Sequence, residues 1–159
     1  LKRRATILDK LRREPSLSLD LMQDIGGCRA VLGSIAEIRR VEQRIKRNRP
    51  PLRYSDYIPQ PPASGYRGVH IVVRYDEYAI EIQLRTRVMH DWAITVEKLS
   101  ARLGVDIKAD RDHPVHQLMA LISEAMACDE EQRPMPPDLH RRITLCRLAA
   151  APHLERGLG

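Results

Sequence analysis

Strand patterns and helical patterns in one chain predict an α/β (α+β) protein. Three observations carry that expectation: a hairpin pattern from Ser64 to Thr86, a strand pattern behind the Gly26-Gly27 pair, and helical periodicity in five other stretches. The hairpin organises the rest. Val69 to Tyr75 is rich in β-branched and aromatic residues, Asp76 to Tyr78 is the break, and Ala79 to Leu84 alternates apolar with polar side chains. Because side chains on a strand alternate with a period of two, Ile80, Ile82 and Leu84 share one face and belong against a core. The opposite face aligns Ala79, Glu81, Gln83 and Arg85, with Tyr66, Arg67 and His70 at or just ahead of the partner strand. A carboxylate, an amide and a guanidinium in line make this face a candidate site.

Composition bounds the remainder. With 159 residues, 43% apolar and 30% charged, the chain has the size and balance of one water-exposed domain with a sizeable core. Aromatics are only 4% and Phe is absent, so aliphatic residues must fill the interior and Trp92 is an expected anchor. The net charge of +6 favours anionic partners such as nucleotides or nucleic acid. Cys28, Cys128 and Cys146 lack the even count and close spacing of a disulfide frame or zinc site, so all three are expected as buried, reduced thiols. No apolar run approaches the ~20 residues that span a bilayer, and the first residues lack a signal peptide's apolar centre, so a cytoplasmic protein is expected. Leu1 is not a start residue, which leads to the expectation that a native N-terminus lies upstream.

In chain order, Lys2 to Arg13 spaces Ile7, Leu8 and Leu11 as a short basic helix that ends before Pro15. Lys2, Thr6 and Lys10 fall on one side of it, as a solvated cationic face or as an edge that follows phosphates. Pro15 to Leu21 reads as a loop, and Met22 to Leu32 as a Gly-Gly pair leading into a buried strand. Asp24 ahead of that pair is turn chemistry, or, if this strand lies beside that of Glu81, one of two carboxylates able to hold a divalent metal. Ser34 to Arg47 is an amphipathic helix with Ser34 as N-cap and Ile35, Ile38, Val41 and Ile45 on its apolar side. Asn48 to Pro62 holds five prolines and an extended patch from Leu52 to Ile58, a strand followed by a pocket-shaping loop. Thr86 to Leu103 returns to helical spacing through Val88, Trp92, Ala93, Val96 and Leu99, with Gly104 as its stop. Two further helices are expected at Pro114 to Asp129 and Pro137 to Ala150.

The blocks MQDIGGCR, DYI, SGYRGVH and EIQLRT followed by HDWA, in that order, resemble the synthetase domain of RelA/SpoT-type alarmone synthetases, especially the small single-domain kind. The resemblance covers Lys2 to Leu99. It implies a mixed sheet flanked by helices, of nucleotidyltransferase-like architecture, divided as a core over 1–103 and a helical extension of the same domain over 104–159. The implied activity is transfer of the β,γ-diphosphate of ATP to the ribose 3′-hydroxyl of GDP or GTP, by a synthetase with no hydrolase half. Carried over by position, Asp24 is a Mg²⁺ ligand, and Glu81 activates the attacking hydroxyl and touches the metal. Tyr66 stacks on guanine, with His70, Gln83 and Arg67 in the acceptor pocket. Arg29 stacks on adenine, and Lys2, Thr6 and Lys10 follow the ATP phosphates.

The chain also departs from the family pattern. Ser55 stands where a basic residue usually precedes DYI, and Pro62 replaces the usual Lys four residues ahead of the Tyr. Both positions normally hold nucleotide phosphates, a role open here to Arg53 or Arg67. Two alternatives follow: the same chemistry on the 3′ end of tRNA, as in toxic relatives, or a catalytically silent binding module that keeps the fold. A homo-oligomer built through the terminal helices and a neutralising antitoxin protein are further partners implied by the resemblance.

Overall fold

Among the described residues, the expected hairpin forms the middle of a four-stranded sheet. The computed structural model describes residues 26–156, in the order β1 (Gly26–Leu32), α1 (Ile35–Asn48), β2 (Arg53–Asp56), β3 (Val69–Tyr75), β4 (Tyr78–Thr86), α2 (Arg87–Leu103), α3 (Pro114–Glu130) and α4 (Leu139–Arg156). The expected first helix at Lys2 to Arg13, the loop after it and Asp24 lie outside the described residues. The described chain gathers into two compact units, one of residues 26–56 and 68–87, the other of residues 57–67 and 88–156.

In the first unit the strand order is β1-β4-β3-β2. β3 runs antiparallel to both β4 and β2, while β1 runs parallel to β4, so the sheet is mixed. Tyr75 pairs with Tyr78, which leaves Asp76 and Glu77 as the turn. Asp76 takes a φ of +52°, a left-handed conformation that a short polar side chain tolerates better than most.

Register assigns the two faces. Val69, Ile71 and Val73 of β3 share a face with Ile80, Ile82 and Leu84 of β4. On the same face, Tyr54 and Asp56 of β2 reach Glu42 and Arg39 of α1, and α1 lies against β4 and β1. Val69, Ile71 and Ile38 are wholly buried there, each fully buried aliphatic side chain contributing roughly 1.5 to 3 kcal/mol. α1 begins as expected: Ser34 Oγ accepts from the Glu37 amide at 3.2 Å, and the Glu37 carboxylate accepts from the Gly33 amide at 2.8 Å.

β1 differs from its expectation. None of its residues is buried, and among the described residues it is an edge strand of the sheet. Cys28 on that edge is exposed and Cys146 is half-buried, so among the three cysteines only Cys128 is the buried thiol that composition suggested. The edge position explains the first case. An apolar run reads the same in a central strand as at an edge.

The second unit is helical around the expected anchor. Trp92 is 3% exposed and donates its indole N–H to the Met119 carbonyl at 2.9 Å, packing with Val96, Val115, Leu118 and Ala150. α2 stops at Gly104, whose φ of +68° supplies the left-handed residue a helix end favours. Pro114 opens α3 at a position needing no amide donor, and His113 Nδ1 caps it by accepting from the Val115 amide at 3.2 Å. α4 runs past the expected stop at Ala150 and through Pro152 to Arg156. Leu154, beyond the proline, packs on the Trp92 cluster, which offsets the backbone bond Pro152 cannot make. No described helix is long and apolar enough to cross a membrane.

Candidate active site

The polar face of β4 carries a connected set of side chains. Gln83 Nε2 donates to Glu81 Oε2 at 2.8 Å, and the Gln83 carbonyl oxygen accepts from Arg85 at 3.0 Å and from Arg29 Nε at 3.4 Å. His70 Nδ1 lies 3.0 Å from the other carboxylate oxygen, Glu81 Oε1. Gln83 therefore joins a carboxylate to two guanidinium groups, and those partners fix which way its amide points.

Strand pairing explains why these residues meet. Gln83 faces His70 of β3 on one side and Arg29 of β1 on the other, and His70 in turn faces Ser55 of β2. The row across the sheet thus reads Ser55, His70, Gln83, Arg29. The neighbouring row reads Arg53, Val72, Glu81, Gly27. Burial is graded along the set: Arg85 is buried, the Glu81 and His70 side chains are 16% and 21% exposed, and Arg29 is exposed. A half-buried carboxylate with both oxygens engaged is held in one orientation yet stays reachable.

Among the residues the sequence singled out, His70, Glu81, Gln83 and Arg29 come together in this unit. Asp24 lies outside the described residues, three positions before the Gly27 that faces Glu81. Lys2, Thr6 and Lys10 are outside them as well. Ser55, read in the sequence only as a missing cation, sits at the end of the His70 row; the alternation of β2 against β3 was the signal that could have placed it there. Among the described residues no group of three or more His, Cys, Asp or Glu side chains gathers as a metal cluster.

Tyr66 and Arg67 belong to the other unit, on the proline-containing loop 57–67. The Tyr66 ring packs edge-on against Tyr57, centroids 5.7 Å apart. Gly65 takes a φ of +80° and touches α3 so closely that a Cβ there would stand 2.9 Å from the Ala120 Cα. Ser123 Oγ donates to the Gly65 carbonyl at 2.5 Å. Arg67 is 3% exposed and spends its terminal nitrogens on Glu130 at 2.8 Å and Glu131 at 2.6 Å. Its guanidinium ties the loop to the end of α3. Pro62 lines a cavity of about 530 Å³ between this loop and α3.

A second polar cluster braces β2 from the α1 side. Glu42, 7% exposed, accepts from Lys46 at 2.6 Å, Tyr54 at 2.7 Å and Arg39 at 2.7 Å, while Arg39 also pairs with Asp56 at 2.7 Å. Burial pushes the Glu42 carboxyl up, but these hydrogen bonds outweigh it and hold the group below its ordinary value. Burial and the bond to Glu42 push the Tyr54 phenol above its ordinary value.

Comparison with known proteins gives this geometry its context. An uncharacterized protein of Mycobacterium tuberculosis is 34% identical over 115 residues, which cover 69% of this chain and 41% of that protein. The GTP pyrophosphokinase YjbM of Bacillus subtilis is 31% identical over 115 residues, covering 65% of this chain and 54% of its own length. The chain thus spans about half or less of these relatives. Among solved structures, small alarmone synthetase 2 of Bacillus subtilis aligns with a TM-score of 0.70 at 25% identity, over 82% of this chain and 73% of that one. Small alarmone synthetase 1 of the same organism, bound to its product pppGpp, aligns with a TM-score of 0.68 at 28% identity, over 83% and 71%. The mixed sheet with its helices is the fold that the sequence resemblance implied. Residues 1–101 match the region found in RelA/SpoT proteins, and the chain belongs to that family.

Proposed function

We propose that this chain is an ATP-dependent diphosphotransferase that moves the β,γ-diphosphate of ATP to the ribose 3′-hydroxyl of GDP or GTP, making (p)ppGpp. The observation that carries this reading is the Glu81 carboxylate, held between His70 and Gln83 on the polar face of the sheet in a RelA/SpoT family member. The likeness to a GTP pyrophosphokinase and to a synthetase bound to pppGpp supports the choice of nucleotides.

In the reaction the 3′-oxygen attacks the β-phosphorus, the bond from that phosphorus to the oxygen of the α-phosphate breaks, and AMP leaves. The hydroxyl proton passes to Glu81. His70 Nδ1 lies 3.0 Å from one Glu81 oxygen and Gln83 Nε2 donates to the other at 2.8 Å, which holds the carboxylate in one orientation for that transfer. A carboxylate is a weaker base than an amine or imidazole, so its placement beside the attacking hydroxyl contributes more than proton affinity.

Mg²⁺ suits the donor set, because it keeps several waters and takes one or two carboxylates together with substrate phosphates. Glu81 with Asp24 would hold it, and it would neutralise charge on the transferred phosphates. Tyr66 stacks on guanine, Arg29 on adenine, and Lys2, Thr6 and Lys10 follow the triphosphate. His70 and Gln83 act as positioning residues for Glu81. With Arg67 committed to Glu130 and Glu131, exposed Arg53 on β2 is the better candidate for the cation missing at Ser55.

A second reading, transfer to the 3′ end of tRNA, is favoured by Ser55, a hydroxyl in the His70 row where the family pattern carries a cation for a nucleotide phosphate. Transfer of label from γ-³²P-ATP with Mg²⁺ to GDP, GTP and deacylated tRNA in parallel separates the two, with Glu81→Gln as control. Labelled GDP or GTP is the expected result. Label on tRNA alone selects the second reading, and label on none of the three leaves a binding module.

A further inference from the structure

Gln83 can steady Glu81 only if Gln83 is itself held. Its side-chain amide has two ends of nearly equal shape, and the partners at each end decide which way it points. Nε2 donates to Glu81 Oε2 at 2.8 Å, while Oε1 accepts from Arg85 at 3.0 Å and from Arg29 Nε at 3.4 Å. The two guanidinium groups on that oxygen are unequal.

Arg85 is 4% exposed, whereas Arg29 lies open on β1. A separation of 3.0 Å is the favoured length for an N–H···O bond, and 3.4 Å is beyond its usual range. Water competes for Arg29 and scarcely for Arg85. Close packing also leaves a buried side chain little room to change rotamer. Arg85 is therefore the anchor of Gln83, and Arg29 is an accessory that can turn away, as a group that stacks on adenine must.

The anchor and the carboxylate belong to one strand. Glu81, Gln83 and Arg85 are alternate residues on one face of β4, each about 7 Å along the strand from the next. Hydrogen bonds in series polarise one another, so a cation on Gln83 Oε1 makes Nε2 a stronger donor to Glu81. A brace of the sheet and a positioning residue differ in what their loss changes: the brace lowers stability alone, and the positioning residue lowers turnover.

We infer that Arg85 is a positioning residue for Glu81: its buried guanidinium fixes the Gln83 amide, and that amide fixes the carboxylate. The positioning stands on the contacts along β4, and its effect on turnover rests on the diphosphotransfer reading.

The test has two readouts, one of which needs no turnover. In the ligand-free full chain labelled with ¹⁵N, the Gln83 side-chain amide is assigned by its loss in Gln83→Met. It should exchange with water about tenfold more slowly than an open glutamine amide. Arg85→Met should abolish that protection, Arg29→Gln should keep it, and Arg85→Lys should restore part of it. In steady-state transfer from ATP to GDP with Mg²⁺, Arg85→Met should lower kcat about tenfold and change either KM less than about twofold. Arg85→Met/Gln83→Met should be no slower than Gln83→Met alone, because the first residue acts through the second. Circular dichroism of each variant checks the fold. An unprotected Gln83 amide in the wild type, protection that survives Arg85→Met, or kcat losses that add in the double variant would overturn the inference; the first outcome needs no variant to fold. Protection that depends on Arg85, in a chain that transfers diphosphate to no acceptor, would sink the diphosphotransfer reading and leave Arg85 as the anchor of Glu81.

Discussion

His70 Nδ1 stands 3.0 Å from Glu81 Oε1 although the two are not opposite one another: His70 pairs with Gln83, and Glu81 pairs with Val72. The contact is diagonal across β3 and β4, within reach because long side chains on one face span neighbouring rows. It complements the Gln83 bond to the other oxygen, so the carboxylate is gripped from two strands.

This grip predicts different outcomes for the base and its holder. Glu81→Gln, nearly the same shape, should lower diphosphotransfer by about 10² to 10⁴ with little change in melting temperature. His70→Ala should lower kcat about tenfold with little change in acceptor KM, as loss of positioning does. Steady-state kinetics check both, and a His70→Ala defect confined to acceptor KM would make His70 a substrate contact instead.

Tyr66 is expected to stack on the acceptor base. Tyr66→Ala should weaken GDP or GTP binding by about 1 to 3 kcal/mol, while Tyr66→Phe keeps most of the affinity. Equilibrium binding in the absence of ATP measures this directly, and unchanged affinity in Tyr66→Ala removes the stacking role.

Arg67 should behave as a structural residue. Truncating one member of a buried ion pair leaves charge uncompensated, so Arg67→Ala should cost about 3 to 5 kcal/mol. A denaturant melt reads the loss, and Arg67→Lys should recover only part of it, since an ammonium cannot fork to Glu130 and Glu131 as a guanidinium does. Native stability with weakened acceptor binding would return Arg67 to the acceptor pocket.

The Glu42 cluster sets limits on stability at both ends of the pH scale. Its carboxyl is held below the ordinary value, so its contribution is present above the unfolded-state pKa and lost as pH falls through the lower folded one. The Tyr54 phenol is raised, so its contribution is present below its unfolded value, about pH 10, and lost as pH rises through the folded one. Urea melts should show a plateau between about pH 5 and 10. Glu42→Gln should cost about 1 to 3 kcal/mol at neutral pH and flatten the acid limb. An acid limb of wild-type steepness in that variant would place its origin elsewhere.

Much of this architecture was legible locally. The alternation in Ala79 to Arg85 separated a core face from a polar one, Ser34 marked the start of α1, and Gly104 the end of α2. Three features were not legible, each because distant residues decide it. Among the described residues β1 sits at an edge, where Cys28 is exposed. α4 continues through Pro152 because Leu154 finds the Trp92 cluster. Arg67 meets carboxylates 63 and 64 positions away, which no local pattern announces.

The amino-acid sequence by itself determined which side chains share a face, because the two-residue period of a strand and the 3.6-residue period of a helix are properties of the local backbone. It also determined the family, through ordered blocks across the first hundred residues. Only the tertiary structure decided which of those faces meet. The two-residue turn between Tyr75 and Tyr78 sets the register that brings His70 to Glu81, and a slip of one residue would send His70 to the other side of the sheet.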